Sequence, residues 1–390
     1  MRSLLSVLLC LMVCTSLPAQ APSAAAIRKG TVDHIKVHGK SLEGNLEGDS
    51  PDRDVFIYLP PSYATSKNRR YPVVYMLHGY GLTAERWMPF TKMADAADKD
   101  IAAGTMKEMI FVNPDAFTKY NGSMYSSSPT IGDWEAYIAE DLVAYVDSHY
   151  RTIADRMSRG LGGHSMGGYG TVRIGMKRPD VFSSMYIMSA CCLMNNPGAT
   201  RGQGGQAGQG GQAGRGGNRG AAQAPNTGAA PPAPAQPTAI PPVPGAAGAR
   251  GQAPQGARGG RGGGFGNTNA AEAAAWSSNP NNPPDFSDLP TKDGQPVPAI
   301  AAKWVANSPL VMVDQYLTNL KKYHAIMMDV GLQDTLAGSN RQLEESFKTF
   351  GIDHTFETYE GDHTNHVPER IEQKVLPFFS NNLSFTKPKK

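Results

Sequence analysis

Leu161-Gly162-Gly163-His164-Ser165-Met166-Gly167-Gly168-Tyr169-Gly170 is the stretch on which the fold of this chain turns. Leu161 to His164 form a short apolar run, and a helical pattern follows from Tyr169 to Met176, so Ser165 stands between a strand and a helix. The five residues Gly163-His164-Ser165-Met166-Gly167 match the nucleophile-elbow pattern. A serine on so tight a turn takes strained backbone angles, and glycines two residues to either side remove side chains that would collide there. In a chain with 43 glycines the pentapeptide alone carries little weight. The strand before it and the helix after it supply the rest.

Outward from this turn the chain alternates strand and helix. Asp54 to Leu59 (DVFIYL), Pro72 to Leu77 (PVVYML), Met109 to Val112 and Ser184 to Met188 are short runs rich in β-branched, aromatic and other apolar residues, and turn residues flank several of them. Asp133 can cap a helix in which Trp134, Ile138, Leu142 and Tyr145 recur at helical spacing. Further on, Ala325 to Val330 reads as a strand, and Leu343, Phe347 and Phe350 share one face of a helix that Gly351 can end. Thr355 to Tyr359 reads as a last strand, and Pro368 to Phe379 as a closing helix with Ile371, Val375, Phe378 and Phe379 facing the sheet. Such alternation predicts an α/β fold with a mostly parallel central sheet flanked by helices.

Acyl transfer through a serine also needs donors for the oxyanion of the tetrahedral intermediate. One is normally the N–H after the nucleophile, here Met166. The other is expected from the turn after an earlier central strand, and Leu77-His78-Gly79-Tyr80-Gly81 supplies the Tyr80 N–H. An acid is expected from the turn after a later strand, where Gly331-Leu332-Gln333-Asp334-Thr335 offers Asp334; Asp329, inside the apolar run, is the alternative. The base follows in the chain order Ser, Asp, His. In Glu360-Gly361-Asp362-His363-Thr364-Asn365-His366, His363 comes soonest after the strand, while His366, His354 and His324 read as surface or supporting residues. The H-x-x-H spacing lacks the intervening glutamate and the helix of a zinc protease, so neither a catalytic metal nor a cofactor is expected.

Composition narrows the setting. Arg2 followed by an apolar run from Leu4 to Val13 and small residues at Ala19-Gln20-Ala21 reads as a signal peptide over residues 1–21. The run is too short to span a bilayer, and Val13 is bulky for lipoprotein processing at Cys14. A secreted or periplasmic protein without stable membrane insertion is the expectation. Of the four cysteines only Cys191 and Cys192 remain after cleavage, and sequence neighbours close no stabilising loop. From 197 to 271 the sequence is almost wholly Gly, Ala, Gln, Pro, Asn and Arg, a composition that buries too little apolar surface to offset chain entropy. It reads as a low-complexity insertion within one domain over residues 27–390. Its six arginines exceed the chain's net charge of +3, so the remainder is slightly acidic. No concentrated basic face is left for a phosphate backbone, and nucleic acid is not an expected partner.

Taken together, Tyr58-Leu59-Pro60-Pro61-Ser62-Tyr63, Tyr71 to Gly79, Gly163 to Gly170 and Glu360-Gly361-Asp362-His363 resemble the Putative esterase family of α/β-hydrolases. That family includes esterase D, secreted feruloyl esterases and the antigen 85 acyltransferases. The resemblance covers nearly all of the mature chain outside the insertion. It implies an α/β-hydrolase fold without a large lid, and hydrolysis of a small-molecule or polysaccharide-linked ester through an acyl-enzyme. It maps the Ser-Asp-His roles onto Ser165, Asp334 and His363. The long insertion departs from the family, as does Asp362, where many relatives carry a small residue. Acyl transfer to an alcohol, thioester hydrolysis on formylglutathione and a catalytically silent binding module are the competing expectations. The signal segment argues against the second, and the presence of serine, acid and histidine against the third. Trp87, Trp134 and Trp304 are candidate pocket aromatics, although large aromatics more often fill cores.

Overall fold

The computed structural model describes residues 28–194 and 268–386. The signal segment, 1–21, lies outside the described residues, as does 197–267 of the insertion. The downstream boundary of that insertion needs correction, because 268–271 are ordered into the protein: Thr268 precedes a helix over Asn269–Trp276 whose Ala271 is fully buried. Alanine serves flexible tracts and helices equally well, so composition alone placed the border a few residues late.

Eight strands form the central sheet: β1 (Thr31–His38), β2 (Asp52–Leu59), β3 (Val73–Leu77), β4 (Ile110–Pro114), β5 (Arg159–His164), β6 (Ser184–Met188), β7 (Ala325–Gly331) and β8 (Thr355–Tyr359). Their spatial order is β1-β2-β4-β3-β5-β6-β7-β8. From β4 to β8 every neighbouring pair is parallel, while β2 runs antiparallel to both β1 and β4. The chain therefore turns back between β3 and β4, and the carboxyl ends of β3 and β5 lie side by side, with Leu77 in register with Gly163.

The central strands are apolar on both faces because helices cover both. On one side Val74, Met76, Phe111 and Met188 meet Trp87 of α1 (Ala84–Thr91), Met93 and Ala97 of α2 (Met93–Ala103), and the closing helix α8, which runs over 367–382. On the other side Tyr75, Leu77 and Leu161 meet Trp134, Ile138 and Leu142 of α3, which runs over 134–149. Two more helices, α4 (Met166–Lys177) and α7 (Ala337–Thr349), pack there through Val172, Met176, Leu343 and Phe347. Parallel sheets covered on both faces are built from such continuous apolar runs. Between α4 and α7 come α5 (Asn269–Trp276) and α6 (Pro298–Ala306).

Strand β5 is glycine-rich for a packing reason. Gly160 and Gly162 face α8, and a Cβ on Gly160 would lie 2.5 Å from the Phe379 ring. The absent side chains let Phe379 sit against the strand, fully buried, a burial that contributes roughly 1.5–3 kcal/mol. Asp133 caps α3 as its spacing predicts, accepting the Ala136 N–H at 3.0 Å.

Candidate active site

Ser165 follows β5, at the N-cap of α4, with φ 60 and ψ −116. A non-glycine residue held in this region is strained, and such strain persists only where the surroundings impose it. Here they do. The Ser165 N–H donates to Met188 O at 3.0 Å, and its carbonyl accepts from Tyr169 N at 2.9 Å and Cys191 N at 3.2 Å. A Cβ on Gly163 would stand 2.5 Å from the Gly167 carbonyl, and one on Gly167 only 2.0 Å from Leu77 O. Strand, Ser165 turn and helix can approach this closely only with glycine at both positions. The Ser165 hydroxyl is buried and has no hydrogen-bond partner among the described residues.

The turns after β7 and β8 are fastened to each other. Gln333 N donates to Gly361 O at 3.0 Å, its side-chain oxygen accepts Gly361 N at 2.6 Å, and Leu332 N donates to Tyr359 O at 2.8 Å. Gly331 allows the approach, since a Cβ there would meet Gly361 O at 2.3 Å. Asp362 shapes the loop by accepting Thr364 N at 2.8 Å and Asn365 N at 2.9 Å, and those two N–H groups hold its carboxyl below the usual range. The result is that Asp334 Oδ2 and His363 Nδ1 stand 2.7 Å apart. Asp334 Oδ1 also accepts Leu336 N at 2.8 Å. Burial pushes the Asp334 carboxyl up. The hydrogen bond and charge of His363, with the Leu336 N–H, outweigh it and hold the group below its ordinary value.

Asp329, the alternative acid, is elsewhere. It is fully buried in β7, where its Oδ2 accepts the Tyr186 hydroxyl at 2.8 Å and Arg370 Nε at 2.9 Å. Burial raises its carboxyl despite the Arg370 charge. Nor do the other candidate bases, His366, His354 and His324, bond Asp334. His366 precedes α8 and is half exposed beside Glu369 at 4.0 Å, His354 Nδ1 bonds the Ile352 carbonyl, and His324 leads into β7. His78 is fully buried: its Nε2 accepts the Ala116 N–H at 2.8 Å, which places the ring proton on Nδ1, toward Gly79 O.

The turn carrying Tyr80 abuts Ser165. A Cβ on Gly79 would stand 3.4 Å from Ser165 Cβ, and one on Gly122 would stand 2.5 Å from Met166 Sδ and 2.9 Å from the Tyr80 ring. Met166 opens α4, and the first N–H groups of a helix have no acceptor within it. All three candidate tryptophans are core: Trp134 and Trp304 bond through their indole N–H to Ile131 O and Ser277 Oγ, and Trp87, fully buried, lies nearly parallel to the His164 ring at 6.2 Å. Cys191 and Cys192 are both reduced, in the loop after β6 beside Ser165.

Some contributors carried no local signal. His164 donates from Nε2 to the His363 carbonyl at 2.8 Å, a contact across 199 residues. Asn340 brackets the loop after β6, accepting Ala190 N at 3.1 Å and donating to Ala190 O at 2.9 Å. Among the described residues no group of three or more metal-ligating side chains assembles, and no helix is long and apolar enough to cross a membrane.

Comparison with known proteins places this arrangement. The model of the Putative esterase family matches residues 50–367. An endo-1,4-beta-xylanase/feruloyl esterase of Xylanibacter ruminicola is 32% identical over 178 residues, covering 44% of this chain and 24% of that protein. An esterase of Mycobacterium tuberculosis is 31% identical over 131 residues, covering 33% of this chain and 27% of the other. The chain thus aligns with only about a quarter of the length of these relatives. Among solved structures, a ferulic acid esterase superimposes with a TM-score of 0.58 at 20% identity, covering 91% of this chain and 99% of that one. An S-formylglutathione hydrolase from Agrobacterium tumefaciens gives 0.53 at 15% identity, covering 92% and 97%. With the strand order, the Ser165 turn and the family match in hand, the chain belongs to the Putative esterase family, and its fold is the α/β-hydrolase fold.

Proposed function

We propose that this chain is a secreted serine carboxylic ester hydrolase working through an acyl-enzyme on Ser165. Family membership and the esterases among its relatives support ester hydrolysis. The observation that carries the mechanism is the coincidence of two independent features. Ser165 is held at φ 60 by backbone bonds and flanking glycines, and the Asp334-His363 pair at 2.7 Å is tied to the same turn through His164.

In this reading Ser165 Oγ attacks the ester carbonyl carbon and His363 Nε2 takes its proton. The carbonyl π pair moves onto oxygen, which the N–H groups of Met166 and Tyr80 receive. On collapse the alcohol leaves with the proton from His363. Water, deprotonated by the same imidazole, then releases the carboxylic acid and restores Ser165. Asp334 accepts a hydrogen bond from the Nδ1–H of His363 throughout, and its depressed pKa keeps it ionised for that task. Feruloyl, acetyl and other short acyl esters, free or polysaccharide-linked, are the substrates we favour, and the feruloyl esterase relative supports the first. Secretion rests on the N-terminal segment.

Hydrolysis of p-nitrophenyl acetate and methyl ferulate by the mature protein, beside Ser165→Ala, tests the proposal. Turnover that vanishes in the variant supports it, and turnover that survives there overturns it.

A further inference from the structure

We propose that His164, the residue before the nucleophile, is a positioning residue: by donating its Nε2–H to the His363 carbonyl it fixes where the base stands relative to Ser165. The inference rests on the reading of Ser165 and His363 given above.

The geometry is particular. Ser165 and His363 belong to turns from different strands, β5 and β8, which are separated in the sheet by β6 and β7. Asp334 controls the His363 ring through Nδ1, but it stands on the turn after β7 and says nothing of the distance to β5. The bond from His164 Nε2 to the His363 carbonyl, 2.8 Å, spans that distance directly. Because a carbonyl only accepts, the proton is on Nε2. The two imidazoles lie with ring centroids 4.5 Å apart, and His164 is 3% exposed with Trp87 of α1 nearly parallel to it at 6.2 Å. Its side chain is thereby confined from one side by an apolar ring, while its polar end reaches the histidine turn.

Its charge state suits the task. Burial pushes the His164 ring down to about 3; a positive His363 pushes the same way, while the bond to the His363 carbonyl and the charge of Asp334 oppose it. His363 and Asp334 are the charged groups that act on it. His164 is therefore a neutral donor at working pH. When His363 takes the serine proton and becomes an imidazolium, a second cation so close would oppose it, whereas a neutral N–H holds the backbone and adds no repulsion.

Two replacements test this in the full mature chain. His164→Leu fills the space without a donor, and His164→Gln restores an N–H that can reach the same carbonyl. With p-nitrophenyl acetate, the leucine variant is expected to lose on the order of 10-fold to 100-fold in kcat with KM unchanged. Fluorophosphonate labelling of Ser165 should slow in parallel, and glutamine should recover most of both. Wild-type kcat in His164→Leu, or equal losses in both variants, overturns the inference while leaving Ser165 as nucleophile. Survival of turnover in Ser165→Ala overturns the earlier reading instead. Should the leucine variant fail to fold, ¹⁵N spectra of the unmodified protein decide: His164 should stay neutral with its proton on Nε2 between about pH 5 and 8. A ring that titrates there, or carries the proton on Nδ1, overturns it.

Discussion

Asp329 and Asp334 lie five residues apart in sequence and in opposite electrostatic situations. Asp329 sits inside the sheet, where Arg370 and Tyr186 surround it and burial raises its carboxyl. Asp334 sits at the strand's carboxyl edge, where His363 and a backbone N–H hold its carboxyl down. Removing each should therefore fail differently. Asp334→Asn is expected to lower kcat by about 10⁴-fold, the scale seen when the acid that orients a catalytic imidazole is neutralised, with a fall in the thermal midpoint far too small to account for it. Asp329→Ala removes the buried partner of Arg370 and leaves it only the partly exposed Glu357 carboxylate at 3.1 Å, so it should cost up to about 3–5 kcal/mol in urea unfolding, with turnover per folded molecule retained. The pH dependence has a sign as well. Because the folded pKa of Asp334 is depressed, its contribution to stability is complete above the unfolded value of about 3.9 and is lost as pH falls through the lower folded value. A fall of kcat/KM above about pH 4 that persists when stability is unchanged would then come from another group, and a pH profile run beside unfolding curves separates the two.

At the level of elements, the Ser165 turn depends on how closely α4 meets β3. Gly167→Ala pushes a methyl to 2.0 Å from Leu77 O, which is backbone and cannot yield. The variant should lose both stability and labelling of Ser165. Gly338 in α7 has open space around it, so Gly338→Ala should stabilise the protein by roughly 0.5–1 kcal/mol, the usual helix gain over glycine, which thermal unfolding would detect. These contrasts also explain what could be read beforehand. Strands β3, β4 and β6 announce themselves because every position in them is buried and their runs are largely apolar, whereas β8, an edge strand exposed or half-buried throughout, is legible from its threonine and aromatic residues. Strand β1 carries little signal: it is an edge strand with mostly exposed or half-buried positions, and TVDHIKVH has no strong run. Helices α1 and α2 are equally faint in the sequence, with Pro89 inside the first and a left-handed Lys92 between them. The pairing of Asp334 with His363 follows from chain order and turn position. The bond from His164 to the His363 carbonyl does not, since nothing local in either segment encodes a contact between strands that are three places apart.

For the whole molecule, the question is what the low-complexity segment contributes. The residues on its two sides are close in space, with the Cys192 thiol donating to Glu272 Oε1 at 3.4 Å. A short Gly/Ser linker replacing 197–267 should therefore close without strain. If the segment is merely tolerated, kcat/KM for p-nitrophenyl acetate and the thermal midpoint will both match those of the intact chain, and a loss of either would assign it a role. The central claim concerns a single oxygen atom. Peptide mapping by mass spectrometry after treatment with a fluorophosphonate tests it most directly: one adduct on Ser165, formed in step with the loss of ester turnover and absent from Ser165→Ala, is the expected result. An unlabelled protein, or an adduct on another residue with Ser165 untouched, would contradict the account.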